Sequence, residues 1–151
     1  MEESLISRYK EVLKLQDIDA DTYSPLVLAY IGDAVYELVI RTKVVNRGNM
    51  QVNKLHNRTE RLVKAEAQAN LYKLLEEKLT EEEKAVYRRG RNAKSMTIAK
   101  NATMKDYRMA TGFEALMGWL YMKGHMDRLV GLVASGLAEI GELEEKKTEE
   151  E

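Results

Sequence analysis

One long apolar segment constrains the fold of this chain more than any other feature of its sequence. It follows Ser24-Pro25, and nearly every residue from 26 to 40 is apolar. A serine that can cap a helix, followed by a proline at the first helical position, is a strong start signal for an α-helix. A helix that is apolar nearly all round belongs in the centre of a fold. We therefore predict a central helix from Pro25 to about Asn46.

The rest of the chain also carries helical patterns, and strand patterns are nearly absent. Thr80 with Glu83 forms a capping box, and Thr103 with Asp106 forms a weaker one. Arg91–Ala102 has no apolar period and is predicted to be a basic loop. Apolar spacing predicts further helices over residues 5–15, 52–63, 65–79, 80–90, 103–122 and 126–140. The predicted fold class is therefore all-α.

The helical pattern ends near residue 140, which gives the predicted domain boundary. Residues 139–151 hold seven Glu against Lys146 and Lys147, and almost no apolar residue. A segment of this kind cannot bury enough surface to fold. We predict one helical domain at 1–140 and a disordered acidic tail at 141–151.

Several classes of protein are excluded by composition. The 151-residue chain has no cysteine, which excludes a disulfide framework and a thiolate metal site. No apolar run approaches the roughly 18 residues of a membrane span. The N-terminus is acidic and has no apolar stretch of signal-peptide length. We expect a soluble, cytoplasmic protein that does not contact a membrane.

Positive charge is concentrated in one part of a nearly neutral chain. Residues 84–108 hold eight Lys or Arg against one acid, Asp106, although the net charge of the whole chain is −1. A local excess of this size indicates a site for a polyanion such as nucleic acid. The alternative is a solvated helix face with no ligand.

Two acids stand alone in apolar helical segments. Asp33 follows Gly32 in the central helix, and Glu114 lies near Gly118 in a later one. A buried carboxylate is costly unless it is paired or binds a metal, and small residues let two helices approach closely. If the helices meet, the two acids could hold Mg²⁺, which is bound by one or two carboxylates plus waters. The alternative is that each acid is structural and caps a neighbouring helix.

Three motifs resemble those of one enzyme family. Tyr30-Ile-Gly-Asp-Ala-Val-Tyr-Glu-Leu resembles the signature helix of the ribonuclease III family, and Thr111-Gly-Phe-Glu-Ala-Leu-Met-Gly resembles its second acidic motif. Arg88-Arg-Gly-Arg-Asn-Ala-Lys-Ser resembles the basic segment of the Mini-ribonuclease III branch. The resemblance covers about residues 22–140, and no double-stranded-RNA-binding domain follows. It implies a ribonuclease III-type helical endonuclease domain.

The resemblance implies a reduced metal site. Asp33 and Glu114 match positions that bind Mg²⁺ and act in catalysis in the larger enzymes of the family. The two other carboxylates of those enzymes are replaced by Ala29 and Thr111, a pattern that the Mini branch shares. Glu37, one turn beyond Asp33, is either an auxiliary ligand or, as we favour, an ion-pair or dimer-contact residue.

The resemblance also implies the substrate and the assembly. The substrate is double-stranded RNA, specifically precursor ribosomal RNA (23S-type), cut by a homodimer to leave 5′-phosphate and 3′-hydroxyl ends. The predicted dimer contacts are Leu26, Tyr30, Val35 and Leu38. The predicted RNA contacts are Arg88, Arg89, Arg91, Asn92, Lys94, Lys100, Tyr107 and Arg108. His56 could also touch RNA, although solvated surface is the simpler interpretation.

Two other functions remain open at this point. The missing carboxylates favour a non-catalytic RNA-binding or ribosome-assembly factor on the same fold, whereas two acids kept in apolar helices argue against it. The basic segment also permits a helical DNA-binding regulator, but no helix-turn-helix pattern is evident. Mg²⁺-dependent cleavage, and competition between RNA and DNA duplexes, would separate these alternatives.

Overall fold

The structure is a computed structural model that describes residues 4–94 and 103–143. Over these residues it is helical with no strand, which confirms the all-α prediction. Short 3₁₀ turns lie at Ala20–Thr22 and Glu76–Lys78. The seven α-helices of the described residues are α1 (Leu5–Val12), α2 (Pro25–Val45), α3 (Val52–Val63), α4 (Ala65–Leu75), α5 (Glu81–Asn92), α6 (Met104–Met122) and α7 (Met126–Glu139).

The predicted helix starts are confirmed. Ser24 Oγ accepts the backbone N–H of Val27 at 3.3 Å, and Pro25 takes the first helical position of α2. At the start of α5, Thr80 Oγ1 accepts from the Glu83 N–H at 3.1 Å, while Glu83 Oε1 accepts from the Thr80 N–H at 2.8 Å. These signals are local in sequence, because each cap satisfies donors in its own first turn.

Helix α6 forms the centre of the molecule, and α2 crosses it at very short range. Phe113, Leu116 and Met117 of α6 are completely buried. At the crossing, a Cβ built on Gly118 would lie 1.9 Å from the backbone oxygen of Leu28. The helices therefore meet backbone to backbone, as the small residues of the two motifs predicted. This crossing places the middle of α2 beside the middle of α6.

The prediction that α5 ends near Gly90 was wrong. The helix continues to Asn92, so Arg91 and Asn92 are helical and not part of the predicted loop. Gly90 is present for a different reason, since a Cβ on it would lie 2.8 Å from Ala115 Cβ on α6. Glycine at this position permits close packing of α5 against α6 and does not end the helix.

Helix α2 is buried on one side only, although its first part is apolar nearly all round. Leu28 and Ile40 are completely buried, whereas Tyr30 is 82% exposed and Leu38 is 59% exposed. The apolar character of the outer face is thus not explained by the core of this chain. No helix within the described ranges is long and apolar enough to cross a membrane.

The last helix of the described residues ends close to residue 140. Helix α7 ends at Glu139, and Gly141 follows with a φ of +76°, a value that favours glycine. Glu142 of the predicted tail accepts a hydrogen bond from Arg61 at 3.0 Å. The remainder of that tail, from residue 144, lies outside the described residues.

Candidate active site

The two isolated acids of the sequence meet in the structure. Asp33 on α2 and Glu114 on α6 line the same cleft, close enough for the charge of Asp33 to act on the Glu114 carboxyl group. Burial, together with the neighbouring Asp33 carboxylate, raises the pKa of Glu114 to about 8. Two adjacent carboxylates repel one another, so near neutral pH the pair holds a proton unless a cation takes its place.

Only one of the two acids is withdrawn from solvent, contrary to the expectation that both are buried. Glu114 is half-buried, whereas Asp33 is exposed. Both line an open cleft of about 410 Å³ at the surface between α2 and α6. The same cleft is lined by Ala29 and Thr111, the positions where the larger enzymes of the resembled family carry two more carboxylates. All four positions therefore converge on one cleft.

The chemistry of the cleft fits a hard divalent cation. Its potential protein ligands are carboxylate oxygens, which Mg²⁺ prefers, and the raised pKa of Glu114 marks a place where negative charge lacks a compensating cation. Within residues 4–94 and 103–143, no cluster of three or more acidic or histidine side chains is arranged to hold a metal. Asp33 and Glu114 would thus be the only acidic ligands from this part of the chain, with waters completing the shell.

Sequence analysis missed a third side chain at the site, Gln68 of α4. Its Nε2 donates to Glu114 Oε2 at 3.2 Å and to the backbone oxygen of Val63 at 2.8 Å. The available signal was spacing, because Gln68 lies one turn before Tyr72 on the inward face of α4. A buried amide on that face required a partner, but the sequence did not indicate which.

Glu37 does not join the cleft. Its carboxylate forms an ion pair with Arg41, one turn along α2, at 2.9 Å. This contact agrees with the ion-pair interpretation that we favoured and not with a role as a metal ligand.

The predicted RNA contacts fall into more than one group. Arg91, Asn92 and Arg108 line a second cavity, of about 620 Å³, where the end of α5 meets the start of α6. Lys73 and Lys105 also line it and were not predicted. This cavity is basic, because Glu76 is its single acidic lining residue. Of the other predicted contacts, Arg88 and Lys94 are exposed.

Arg89 is exposed and does not line this cavity. Asp21 has a lowered pKa because Trp119 and Lys123 donate hydrogen bonds to it, and the charge of Arg89 adds to the effect. The positive charge of Arg89 therefore acts partly on Asp21. The predicted contact Lys100 lies outside the described residues.

The first half of α6 lines both the carboxylate cleft and the basic cavity. Tyr107 lines the cleft together with Glu114, while the next residue, Arg108, lines the basic cavity. The two cavities therefore lie on different sides of the same part of α6. A ligand with regularly spaced negative charges could contact both.

The outer face of α2 carries an apolar stripe beside the carboxylate cleft. Leu26, Tyr30 and Leu38 are exposed at 39%, 82% and 59%. Val35, also predicted as a dimer contact, is only 8% exposed and packs in the core of its own protomer, so that assignment was wrong. Helical spacing places Ala34, which is exposed, in the stripe instead.

Comparison with known proteins gives one consistent family. Residues 26–125 match the ribonuclease III domain. A Mini-ribonuclease 3 of Thermoanaerobacter sp. (strain X514) is 48% identical over 133 residues, 88% of this chain and 94% of the relative. A Mini-ribonuclease 3 of Enterococcus faecalis is 49% identical over 123 residues, 80% of this chain and 93% of the relative.

Another curated relative and a solved structure agree. A Mini-ribonuclease 3 of Clostridium tetani is 52% identical over 112 residues, which is 74% of this chain and 74% of that protein. A crystal structure of a Fusobacterium nucleatum protein superposes with a TM-score of 0.73 at 31% sequence identity. That match covers 84% of this chain and 100% of the solved one.

Proposed function

Since this chain belongs to the Mini-ribonuclease III branch of the ribonuclease III family and is an endoribonuclease, we propose that it cleaves double-stranded RNA with Mg²⁺ held by Asp33 and Glu114. The observation that carries the proposal is the meeting of Asp33 and Glu114 in one cleft at the α2–α6 crossing. The two motifs that contain Asp33 and Glu114 predicted that the chain belongs to this family, and the comparisons confirm it. The non-catalytic alternative is not supported, because the family is one of ribonucleases.

The two acids act as ligands and not as an acid and a base. When bound, Mg²⁺ activates a water molecule and neutralises charge that develops on the scissile phosphate. Glu114, whose pKa is raised by burial, would have to lose its proton to hold the cation, and the exposed Asp33 would be the second carboxylate ligand. Products would carry 5′-phosphate and 3′-hydroxyl ends. With Ala29 and Thr111 in place of acids, water molecules would supply more of the ligands of the cation than in the larger enzymes.

The basic cavity next to the cleft binds the RNA backbone. Arg91, Asn92 and Arg108 contact phosphates, with the exposed Arg88 and Lys94 extending the surface and Tyr107 lining the carboxylate cleft. Lys100 remains a proposed contact from its sequence alone. Duplex RNA has a deep, narrow major groove that side chains cannot read, so such contacts recognise shape and charge rather than sequence. Arg89 is the weakest member of the proposed set, because it does not line the cavity and part of its charge acts on Asp21.

The enzyme works as a homodimer formed through the outer face of α2. The stripe of Leu26, Tyr30, Ala34 and Leu38 has one residue per helical turn, as a packing face requires. Leu26 and Tyr30 also line the carboxylate cleft, so a partner on this face borders the active site. Two protomers then bring two clefts to one duplex, and each cuts one strand.

Precursor ribosomal RNA, whose helical stems offer such duplexes, is the proposed natural substrate, and the cytoplasm is the proposed location.

Cleavage of a long generic RNA duplex tests the proposal. Asp33→Asn and Glu114→Gln keep the shape of each side chain but remove ligand charge, so Mg²⁺-dependent cleavage should fall by roughly 100-fold or more while RNA binding persists. Asp127→Asn, on the exposed side of α7, is the charge-matched control and should cleave normally. Glu37→Gln should also retain most activity. Near wild-type cleavage by both cleft variants would disprove the site.

A further inference from the structure

The side chain of Gln68 is almost completely buried and ends at the proposed metal site. Gln68 is 2% exposed, and its Nε2 donates hydrogen bonds to Glu114 Oε2 and to the backbone oxygen of Val63, at 3.2 and 2.8 Å. Val63 is the last residue of α3. One amide group thus links the end of α3 to the carboxylate on α6.

The orientation of this amide is fixed by its surroundings. The backbone oxygen of Val63 can only accept a hydrogen bond. A flipped amide would direct its oxygen at this oxygen, so the nitrogen must face Val63 O and, beside it, Glu114 Oε2. As a consequence, Gln68 Oε1 is buried and has no hydrogen-bond partner in the part of the chain that the structure describes.

A glutamine is an expensive residue at this position if its role is only to fill space. Leaving a buried carbonyl oxygen unpaired costs about 1–3 kcal/mol, a cost that methionine or leucine would avoid. Unsatisfied polar groups of this kind require an explanation, and a catalytic role of the same residue is one. In Gln68 the opposite end of the same amide contacts Glu114.

An uncharged donor suits this position better than a charged one. Lysine or arginine could also donate to Glu114, but its positive charge would neutralise the carboxylate pair and compete with a metal ion. The amide holds one oxygen of Glu114 without adding charge. The other carboxylate oxygen then remains available to a cation shared with Asp33.

We propose that Gln68 is a positioning residue of the active site, which holds the Glu114 carboxylate in the orientation that binds the divalent cation. This inference rests on the proposed function of Asp33 and Glu114 as metal ligands. Gln68 touches neither the RNA nor the metal, and it acts through Glu114. Its bond to Val63 fixes the amide from the other side, because it anchors the same nitrogen to the end of α3.

Direct measurement of metal binding tests the proposal without relying on cleavage. Gln68→Met has similar volume and no donor. Binding of Mn²⁺, which stands in for Mg²⁺, is measured on RNA-free protein by the electron paramagnetic resonance signal of the free ion. We expect a Kd about 10-fold higher for Gln68→Met, the effect typical of removing a partner that orients a metal ligand. Gln51→Met, at the exposed start of α3, is the matched control and should bind as wild type does.

A double variant separates positioning from a general structural effect. If Gln68 acts through Glu114, then Gln68→Met should change Mn²⁺ binding little in a Glu114→Gln background. Equal effects in both backgrounds would overturn the proposal. If Asp33→Asn and Glu114→Gln bind Mn²⁺ as wild type does, the proposed metal site itself fails. If they lose binding while Gln68→Met binds normally, only the role of Gln68 fails.

A measurement on the wild-type protein keeps the test valid if Gln68→Met does not fold. The side-chain amide signals of Gln68 in a ¹⁵N NMR spectrum should shift as Mg²⁺ is added, because the hydrogen-bonded carboxylate changes its charge state and ligand. The amide signals of Gln51 serve as the internal control. Gln68 signals that stay unchanged up to Mg²⁺ saturation would overturn the proposal.

Discussion

Gly32 lies directly against the backbone of Glu114: a Cβ built on Gly32 would be 1.7 Å from the Glu114 carbonyl oxygen. Gly32 immediately precedes Asp33, so this contact fixes the separation of the two helices at the residues that carry the acids. Backbone atoms cannot move aside as the end of a flexible side chain can. The glycine of the first motif is therefore part of the geometry that brings Asp33 to Glu114.

Gly32→Ala should therefore damage both stability and activity. The added methyl group must push α2 away from α6, and we expect a loss of about 3 kcal/mol or more in the free energy of unfolding, measured by urea denaturation. Any folded fraction should cleave RNA poorly, because the carboxyl pair is separated. Gly131→Ala in α7 is the control: a Cβ there meets nothing within 4 Å. That control should gain about 0.5–1 kcal/mol, as expected for glycine replaced in a helix. Equal stability of both variants would contradict the close crossing.

The raised pKa of Glu114 predicts that the metal-free protein loses stability as pH rises. In the unfolded chain this carboxyl titrates near its ordinary pKa of 4.5, and in the folded protein at about 8. Between these values the folded state binds more protons, so its stability is fully present below pH 4.5 and declines until pH 8. Relative to Glu114→Gln, we expect wild type to lose on the order of 5 kcal/mol across this window in chelator-treated samples. Parallel stability curves for the two proteins would contradict the shift.

The fold followed from sequence because its signals are local. The Ser24-Pro25 start and the Thr80–Glu83 box involve residues within one turn of each other, so no knowledge of the tertiary structure is needed. The meeting of Asp33 and Glu114 was predictable for another reason. Each acid lies near small residues, above all glycines. Glycine weakens a helix, so its presence indicates that another backbone packs closely against it.

The errors have a common cause, which is that one helix does not reveal what covers each of its faces. Helix α2 was predicted to lie in the centre of the fold, and so Asp33 was expected to be buried, although Tyr30 was assigned to the dimer contact. The sequence pattern of an apolar face is the same whether a second copy of the protein or the rest of its own chain covers that face. Gln68 was missed because its partner lies 46 positions away. Gly90 was taken as a helix end because tight packing and termination both select glycine.

The outer face of α2 predicts a dimer that the replacement of a single exposed side chain should weaken. Tyr30 is 82% exposed, and its replacement by Ser removes an aromatic contact of the kind that dominates interfaces. We expect wild type to sediment as a dimer at micromolar concentration and Tyr30→Ser to shift toward monomer. Val130→Ser removes an apolar side chain that is 45% exposed on α7 and should leave the dimer intact. A monomeric wild type would contradict both the interface and paired cleavage of two strands.

The basic cavity predicts that a few residues account for the salt dependence of RNA binding. Arg91→Ala combined with Arg108→Ala should weaken binding to unrelated RNA duplexes to a similar degree. It should also flatten the plot of log affinity against log salt by about one unit for each phosphate that the protein no longer neutralises. Arg8→Ala with Lys14→Ala removes the same charge from the α1 region and is the control. An unchanged slope for the Arg91 and Arg108 pair would mean that RNA binds to another face.

The reduced carboxylate set predicts that an added acid strengthens metal binding. Thr111 is 8% exposed, lines the same cleft as Asp33 and Glu114, and occupies a position that is acidic in the larger enzymes. In Thr111→Asp a third carboxylate joins the pair, and repulsion should destabilise the metal-free protein by about 1–3 kcal/mol. Mg²⁺ should more than restore this loss, because a ligand that binds only the folded state stabilises it. The rise in Tm on adding Mg²⁺ should therefore be larger for Thr111→Asp than for wild type.

A buried threonine elsewhere separates metal binding from a general effect of the new charge. Thr59 of α3 is 6% exposed and lies outside the carboxylate cleft. Thr59→Asp buries a comparable charge with no carboxylate pair to complete, so Mg²⁺ should raise its Tm no more than it raises that of wild type. If Mg²⁺ stabilises Thr111→Asp and Thr59→Asp equally, the cation acts through general screening of charge. In that case the cleft of Asp33 and Glu114 does not bind it specifically.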